Sequence, residues 1–157
     1  MKILFLGDVV GISGCSKIMN NLLNQIDINQ IDFVIVNAEN ADVSGVGLTK
    51  KICEDFFKCG VNVITTGNHV WDQKDIMGFI NKENRLLRPK NLFEPSPGKG
   101  FEIYTIMENT KIGVLNLMGN VFMKKCDDVF EVSKKFIDSY QLKRDYDFLV
   151  VDFHGEI

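Results

Sequence analysis

The feature that most restricts the fold of this chain is a repeated order of short apolar runs, glycine-bearing polar loops and segments with helical periodicity. Residues 3–6, 33–36 and 61–66 are apolar runs of the length of a strand. The first of them suits a strand that is buried on both faces of a parallel sheet. Because three β-α units follow one another, we predict an α/β fold with parallel strands and right-handed crossovers.

Helical segments follow the three runs. In residues 15–26 the apolar side chains recur at the spacing of one helix face. Thr49 is suited to cap a second helix, which Gly60 ends. Residues 75–80 predict a short third helix. We expect these helices to pack back against the sheet.

The pattern changes in the second half of the chain, after Pro89. Residues 101–106 and 111–117 flank a short turn, as the strands of an antiparallel hairpin do. A helix is predicted over residues 129–140, and a final buried strand over residues 148–151. We therefore expect this half to form a mixed or second sheet.

Composition and charge exclude several classes of function. The formal net charge of −3 gives no excess of basic surface, so duplex nucleic acid is not an expected partner. The four cysteines form no C-x-x-C pair, which indicates reduced thiols and a cytoplasmic location. No apolar run approaches the roughly 18–20 residues that span a bilayer, and no signal-peptide pattern begins the chain. We therefore expect a soluble protein without a membrane partner.

Polar side chains that can bind metal follow four of the predicted strands. In chain order they are Asp8, then Asn37, Glu39 and Asn40, then Asn68 and His69, and finally Asp152, His154 and Glu156. Ligands of open α/β sheets bind beyond the carboxyl ends of the strands, so we expect these groups to converge. The chain has only two histidines, and both follow apolar runs directly. The sequence therefore predicts a metal site at the strand ends.

The kinds of donor at these strand ends restrict the metal. Carboxylate, amide oxygen and imidazole together suit Mn, Fe, Zn or a similar divalent ion better than calcium or a thiolate-bound metal. Two such ions about 3.5–4 Å apart can polarise a phosphoryl oxygen and lower the pKa of a bridging water. Glu39 is the candidate bridging ligand, because its carboxylate has two oxygens and a longer reach than that of Asp.

Each of these residues also has an ordinary structural interpretation. Asp8 alone could be a turn residue, and Glu39 and Asn40 alone could be solvated loop groups. His69 belongs to an Asn-His pair of a kind that is common in turns. Trp71 is interpreted as a packing residue rather than a platform for base stacking. The functional interpretation depends on the agreement of four separate strand ends.

Four motifs resemble, in order and spacing, those of the YmdB-like metallophosphoesterases. They are GDVVG at 7–11, NAEN at 37–40, GNHVWD at 67–72 and DFHGE at 152–156, and the segments GVGLT at 45–49, RP at 88–89 and PGKG at 97–100 agree with them. The resemblance implies a calcineurin-like α/β/β/α sandwich with a mostly parallel first sheet and a mixed second sheet. It also implies hydrolysis of phosphodiesters, with cyclic nucleotides as the substrate class and two divalent metal ions, Fe, Mn or similar.

The resemblance further implies a role for individual residues. The implied metal ligands are Asp8, Glu39 and Asn40 for one ion and Glu39, Asn68 and His154 for the other. His69 would be the histidine that binds no metal. It would stabilise the phosphoryl oxygens or protonate the leaving alkoxide, a task that suits imidazole because its unperturbed pKa is about 6.5.

The family pattern includes a later G-T-H-T-H-type motif with two further histidines, and this sequence does not contain it. We therefore expect residues 1–157 to be a single metallophosphoesterase domain that lacks its C-terminal part. In this form its metal site would be incomplete. A shortened relative with a defective site is the alternative. The expected partner is a small phosphoester or cyclic nucleotide, and a homo-oligomer is left open.

Two other classes of function compete with the phosphodiesterase. A non-catalytic regulatory or binding module with an incomplete metal site would explain the missing histidines. A nucleotide-binding oxidoreductase domain is suggested by Gly7, Gly11 and Gly14 after the first strand. Their spacing is not G-x-G-x-x-G, and Asp8 would place a carboxylate where a pyrophosphate should bind.

Overall fold

Two sheets form the centre of the protein, whose computed structural model describes residues 1–107 and 109–155. The strands of the first sheet are β1 (Ile3–Leu6), β2 (Phe33–Asn37) and β3 (Val63–Thr65), and those of the second are β4 (Phe101–Ile106), β5 (Thr110–Met118) and β6 (Phe148–His154). The first sheet is parallel, as predicted. In the second, β5 pairs antiparallel with β4 and parallel with β6. The predicted mixed second sheet is therefore confirmed.

Helices connect and cover these strands. Within the described residues they are α1 (Gly11–Asn29), α2 (Lys50–Lys58), α3 (Ile76–Phe79), a 3₁₀ turn (Ile80–Lys82) and α4 (Val129–Ser139). The helix α1 begins four residues before the predicted start, because its first turn lacks the apolar periodicity on which the prediction was based. Thr49 caps α2 as predicted, since its Oγ1 accepts a hydrogen bond from Ile52 N. None of the helices in this part of the chain has the length and apolar character that crossing a membrane requires.

The helices and sheets form four layers. Successive residues of a strand point to opposite faces of its sheet, so each strand contributes side chains to the cores on both sides. In β2, Phe33 and Ile35 face the second sheet, whereas Val34 belongs to the core beneath α1 and α2. In β5, Val114 faces the first sheet, and Leu115 packs with α4. The order of layers is therefore helix, sheet, sheet, helix, as the family resemblance implied.

The prediction that residues 3–6 and 148–151 are buried strands is wrong about their burial. Both segments are strands, but within the described residues β1 and β6 lie at the edges of their sheets. The side chain of Phe5 is 42% exposed, and that of Val151 is 46% exposed. An apolar run indicates that a segment forms a strand, but it does not indicate whether that strand is central or at the edge of its sheet. The strand β6 also continues past the predicted end to His154.

Asp128 caps α4, and this contact gives a prediction for stability. Its Oδ1 accepts hydrogen bonds from the backbone N of Phe130 at 2.9 Å and of Glu131 at 3.0 Å. We expect Asp128→Ala to lower the free energy of unfolding by about 1 kcal/mol, because two backbone donors lose their acceptor. Urea denaturation measures the change. Asp128→Asn keeps an acceptor and serves as the control, and an equal loss in both variants would contradict the capping role.

Candidate metal centre

One open cavity lies where the carboxyl ends of strands from both sheets meet. It has a volume of about 290 Å³ and is lined by Gly7, Asp8, Asn37, Glu39, Asn40, His69, Asp152, Phe153, His154 and Gly155. The first sheet supplies the groups after β1, β2 and β3, and the second sheet supplies β6. Packing of one sheet on the other therefore closes the site.

The carboxylate of Glu39 belongs to a group of three oxygen and nitrogen atoms of the kinds that bind metals. Its side chain is buried, and its Oε1 lies 2.7 Å from Nε2 of His154. The same nitrogen lies 2.9 Å from Oδ1 of Asn68. A single N–H cannot give both oxygens a full hydrogen bond. In the tautomer of His154 that carries its proton on Nδ1, the lone pair of Nε2 and those of the two oxygens converge on one small volume, which suits a bound cation.

Two buried oxygens beside this group accept no hydrogen bond from the described residues. They are Oε2 of Glu39 and Oδ1 of Asn40. Nδ2 of Asn40 donates to Oδ1 of Asp8 at 2.9 Å, and this bond fixes which atom of the amide lacks a partner. A buried acceptor without a donor is rare in folded proteins and costs about 1–3 kcal/mol. Divalent cations would satisfy both oxygens, so the residues present fit a metal centre.

The backbone at Asp8 is held in an uncommon conformation. Its φ of 46° lies in the left-handed region, which residues other than glycine seldom occupy. Asp tolerates this region better than most residues, and such conformations concentrate at functional sites. The turn after β1 therefore places the carboxylate of Asp8 against Asn40.

Gly67 allows the close approach of the ligands. A Cβ at this position would lie 1.8 Å from Oε2 of Glu39 and 2.6 Å from Cδ2 of His154. No side-chain carbon fits at these distances. The first residue of the GNHVWD motif is thus glycine because the loop after β3 passes directly over the buried carboxylate.

His69 lies in the same cavity, apart from the group around Glu39. Its Nδ1 lies 2.6 Å from Oδ2 of Asp72, three residues further along the chain. Trp71, between them, packs against the core beneath the first sheet, in agreement with its prediction as a packing residue. The loop after β3 thus places Asn68 beside His154 and holds His69 through Asp72.

The sequence predicted Asn37 and Asp152 only as polar groups at strand ends and gave them no role. Nδ2 of Asn37 donates to Oδ2 of Asp152 at 2.9 Å, and its Oδ1 accepts from Glu39 N at 3.3 Å. This contact ties the end of β2 to β6 across the two sheets. The residues are 115 positions apart, so no local pattern could indicate the pairing. Glu156, the last predicted group, lies outside the described residues.

The donor set is mixed in its chemistry. In residues 1–107 and 109–155, no three His, Cys, Asp or Glu side chains gather as a metal-binding group. The cluster instead depends on the amides of Asn40 and Asn68 beside the two carboxylates and the imidazole. Such a set of oxygen and nitrogen donors suits divalent ions such as Mn or Fe.

Two facing sheets between layers of helices, with this cluster at the strand ends, define a calcineurin-like fold. A family model described as YmdB-like protein matches residues 4–157, and the chain belongs to that family. The match confirms the resemblance that the four motifs indicated.

The chain is similar to relatives that are considerably longer. A Bacillus subtilis (strain 168) protein named 2',3'-cyclic-nucleotide 2'-phosphodiesterase is 38% identical over 156 residues, which cover 99% of this chain and 58% of that protein. A crystal structure described as a hypothetical protein from Thermus thermophilus has a TM-score of 0.90 and 30% identity, and the match covers 100% of this chain and 59% of that one. A crystal structure described as a novel phosphatase from Mycoplasma pneumoniae has a TM-score of 0.87 and 39% identity. That match covers 100% of this chain and 56% of the other. The chain thus spans less than two thirds of the length of each.

Proposed function

We propose that this protein is a metal-dependent phosphodiesterase that hydrolyses phosphoester bonds of cyclic nucleotides, with a binuclear centre of Fe, Mn or similar ions. Two buried acceptors, Glu39 Oε2 and Asn40 Oδ1, have no donor among the described residues, and this is the observation on which the proposal rests. The name of the Bacillus relative supports the substrate class. Residues 1–157 would form one domain that lacks the C-terminal part of the longer relatives.

The proposed ligands divide into two sets that share Glu39. They are Asp8, Glu39 and Asn40 for one ion, and Glu39, Asn68 and His154 for the other. When bound, the ions would polarise the phosphoryl group and activate the attacking water. Glu39 suits the bridging position because Oε1 faces His154, whereas Oε2 is a separate buried acceptor.

His69 is the proposed proton donor. Asp72 accepts a hydrogen bond from Nδ1 of His69 and fixes the orientation of the ring. With both ring nitrogens protonated, Nε2 gives its proton to the oxygen leaving phosphorus as that P–O bond breaks, while the oxygen of water bonds to phosphorus and the proton that this water loses passes to solvent. A positioned acid of this kind contributes typically about 10²–10⁴-fold to the rate.

Removal of metal is expected to abolish turnover. Hydrolysis of bis-p-nitrophenyl phosphate and of a 2',3'-cyclic nucleotide would be measured on the complete gene product with Mn²⁺, after chelation, and after Mn²⁺ is restored. We expect a fall to background and recovery, because the acceptors of Glu39 and Asn40 hold the cations. Elemental analysis of the purified protein gives the metal content independently.

The outcomes separate the proposal from the other classes of function. Full activity of the metal-free protein would contradict a metal-dependent reaction. Metal binding without hydrolysis of any phosphodiester would favour a non-catalytic module. Assay of residues 1–157 in parallel tests whether the groups of this chain suffice for turnover.

A further inference from the structure

The imidazole of His69 contacts only one of the two carboxylate oxygens of Asp72, so the other oxygen can bind a second residue. Nδ1 of His69 lies 2.6 Å from Oδ2 of Asp72, and the two side chains are about equally shielded from solvent. The backbone N of Asp72 also donates to the carbonyl oxygen of His69 at 3.1 Å. The tight turn after β3 thus sets the distance between the imidazole and the carboxylate, but not the rotation of the carboxylate of Asp72.

The second oxygen of Asp72 is bound by a residue from a distant part of the chain. Nζ of Lys124 lies 3.1 Å from Oδ1 of Asp72, and the two residues are 52 positions apart. Burial acts to raise the pKa of Asp72, but hydrogen bonds from His69 and Lys124 outweigh it and hold the pKa below its ordinary value. Asp72 is therefore a carboxylate with both oxygens engaged, one by the imidazole and one by the ammonium.

Lys124 belongs to the β5–α4 loop, residues 119–128, which is anchored beside the candidate metal centre. The backbone N of Gly119 donates to the carbonyl oxygen of His154 at 2.8 Å. At the other end, Nδ2 of the fully buried Asn91 contacts Sγ of Cys126 at 3.3 Å and the carbonyl oxygen of Asp127 at 3.1 Å. Between these two anchors, Lys124 contacts Asp72 in the loop after β3.

The middle of this loop has a conformation that requires support from its contacts. Phe122 has a φ of 58°, in the left-handed region, although its side chain is 85% exposed and gains little from packing. A bulky residue in this region is strained and persists where the surroundings determine the backbone. The fixed ends of the loop and the ion pair of Lys124 supply that restraint.

We propose that Lys124 is a positioning residue for phosphodiester cleavage, which orients His69 by clamping the carboxylate of Asp72 from the β5–α4 loop. The inference rests on the proposed function and assigns to that reaction a residue from the loop that follows β5 of the second sheet. Lys124 acts on the substrate through Asp72 and His69 and not by contact with the phosphate. An exposed ion pair alone adds little to stability, so its effect is expected in turnover and not in folding.

Turnover of three single variants in the complete gene product tests this role. Lys124→Met should lower kcat on the order of 5-fold with KM unchanged, because His69 loses orientation and the substrate loses no contact. Lys124→Arg should restore most of kcat, since it keeps a cation within reach of Asp72. Lys125→Met removes the same charge one residue away and should leave kcat and KM at wild-type values. A rise in KM with kcat unchanged would show a direct phosphate contact and overturn the proposal.

A double-mutant comparison tests the route through Asp72. Asp72→Asn should lower kcat by about 10- to 100-fold, as substitutions that support a catalytic or metal-binding side chain commonly do. Adding Lys124→Met to Asp72→Asn should cost nothing further, because the clamped carboxylate is already gone. A second loss of the same size in the double variant would mean that Lys124 acts independently, and the proposal would fail.

The imidazole of His69 gives a readout that does not depend on turnover. In the metal-free protein, the proton on Nδ1 should appear downfield in the NMR spectrum, because it lies in a short hydrogen bond to a carboxylate. Its absence in His69→Gln assigns the signal. Lys124→Met should broaden or shift it, and Lys125→Met should not. An unchanged signal in Lys124→Met overturns the clamp, whereas a wild-type protein that shows the signal but cleaves no phosphodiester supports the clamp and contradicts the proposed function.

Discussion

Glu39→Gln is expected to reduce metal affinity and phosphodiester hydrolysis by more than about 100-fold, beyond the losses usual for residues that only support metal ligands. The substitution preserves shape but removes the charge that both cations would share. It also turns one oxygen into an amide donor, beside His154 at 2.7 Å and in a position that is 1% exposed. Calorimetric titration with Mn²⁺ and turnover of bis-p-nitrophenyl phosphate measure the two effects.

The same substitution should leave the metal-free protein at least as stable as the wild type. In the absence of cations, Oε2 of Glu39 is a buried acceptor without a donor among the described residues, and the neutral amide removes the negative charge that the carboxylate buries there. Thermal unfolding of both proteins in chelator tests this. Glu131→Gln, on the exposed side of α4, is the matched control and should change neither metal affinity nor turnover. Wild-type metal content in Glu39→Gln would contradict the bridging role.

Gly67→Ala is expected to disrupt the same centre through size alone. The new Cβ would lie 1.8 Å from Oε2 of Glu39 and 2.6 Å from Cδ2 of His154, so both side chains must move. We expect a loss of metal affinity of about 10- to 100-fold, of the size seen when support of a metal ligand is lost. Overpacking of this kind should also lower the free energy of unfolding by about 1–3 kcal/mol. Metal titration and urea denaturation measure the two quantities.

Gly78→Ala provides the control for this methyl group. A Cβ at Gly78, in α3, would meet nothing within 4 Å. Alanine favours a helix over glycine by roughly 0.5–1 kcal/mol, so this variant should be slightly more stable and bind metal normally. If Gly67→Ala also binds Mn²⁺ with wild-type affinity, the loop after β3 does not constrain Glu39 as the structure indicates.

Much of the strand-end cluster could be predicted from the sequence, because each group follows an apolar run directly. The structure brings the predicted residues into contact: Asp8 with Asn40, and His154 with Glu39 and Asn68. Their role as metal ligands stays a prediction. The His69–Asp72 contact also had a local signal, since the residues lie three apart in the GNHVWD turn. Lys124 had none, because a partner 52 residues away leaves no trace in local spacing.

The sequence by itself determined the order of strands and helices, the parallel first sheet and the chemical groups at the ends of its strands. These features follow from periodicity and from side chains adjacent to each strand, which are local properties. Only the tertiary structure decided that β1 and β6 are edge strands within residues 1–107 and 109–155, and that β6, from the other sheet, delivers His154 to Glu39. The reason is that an apolar pattern indicates which side chains of a strand are buried, whereas the packing of one sheet on the other decides which distant residues those side chains contact.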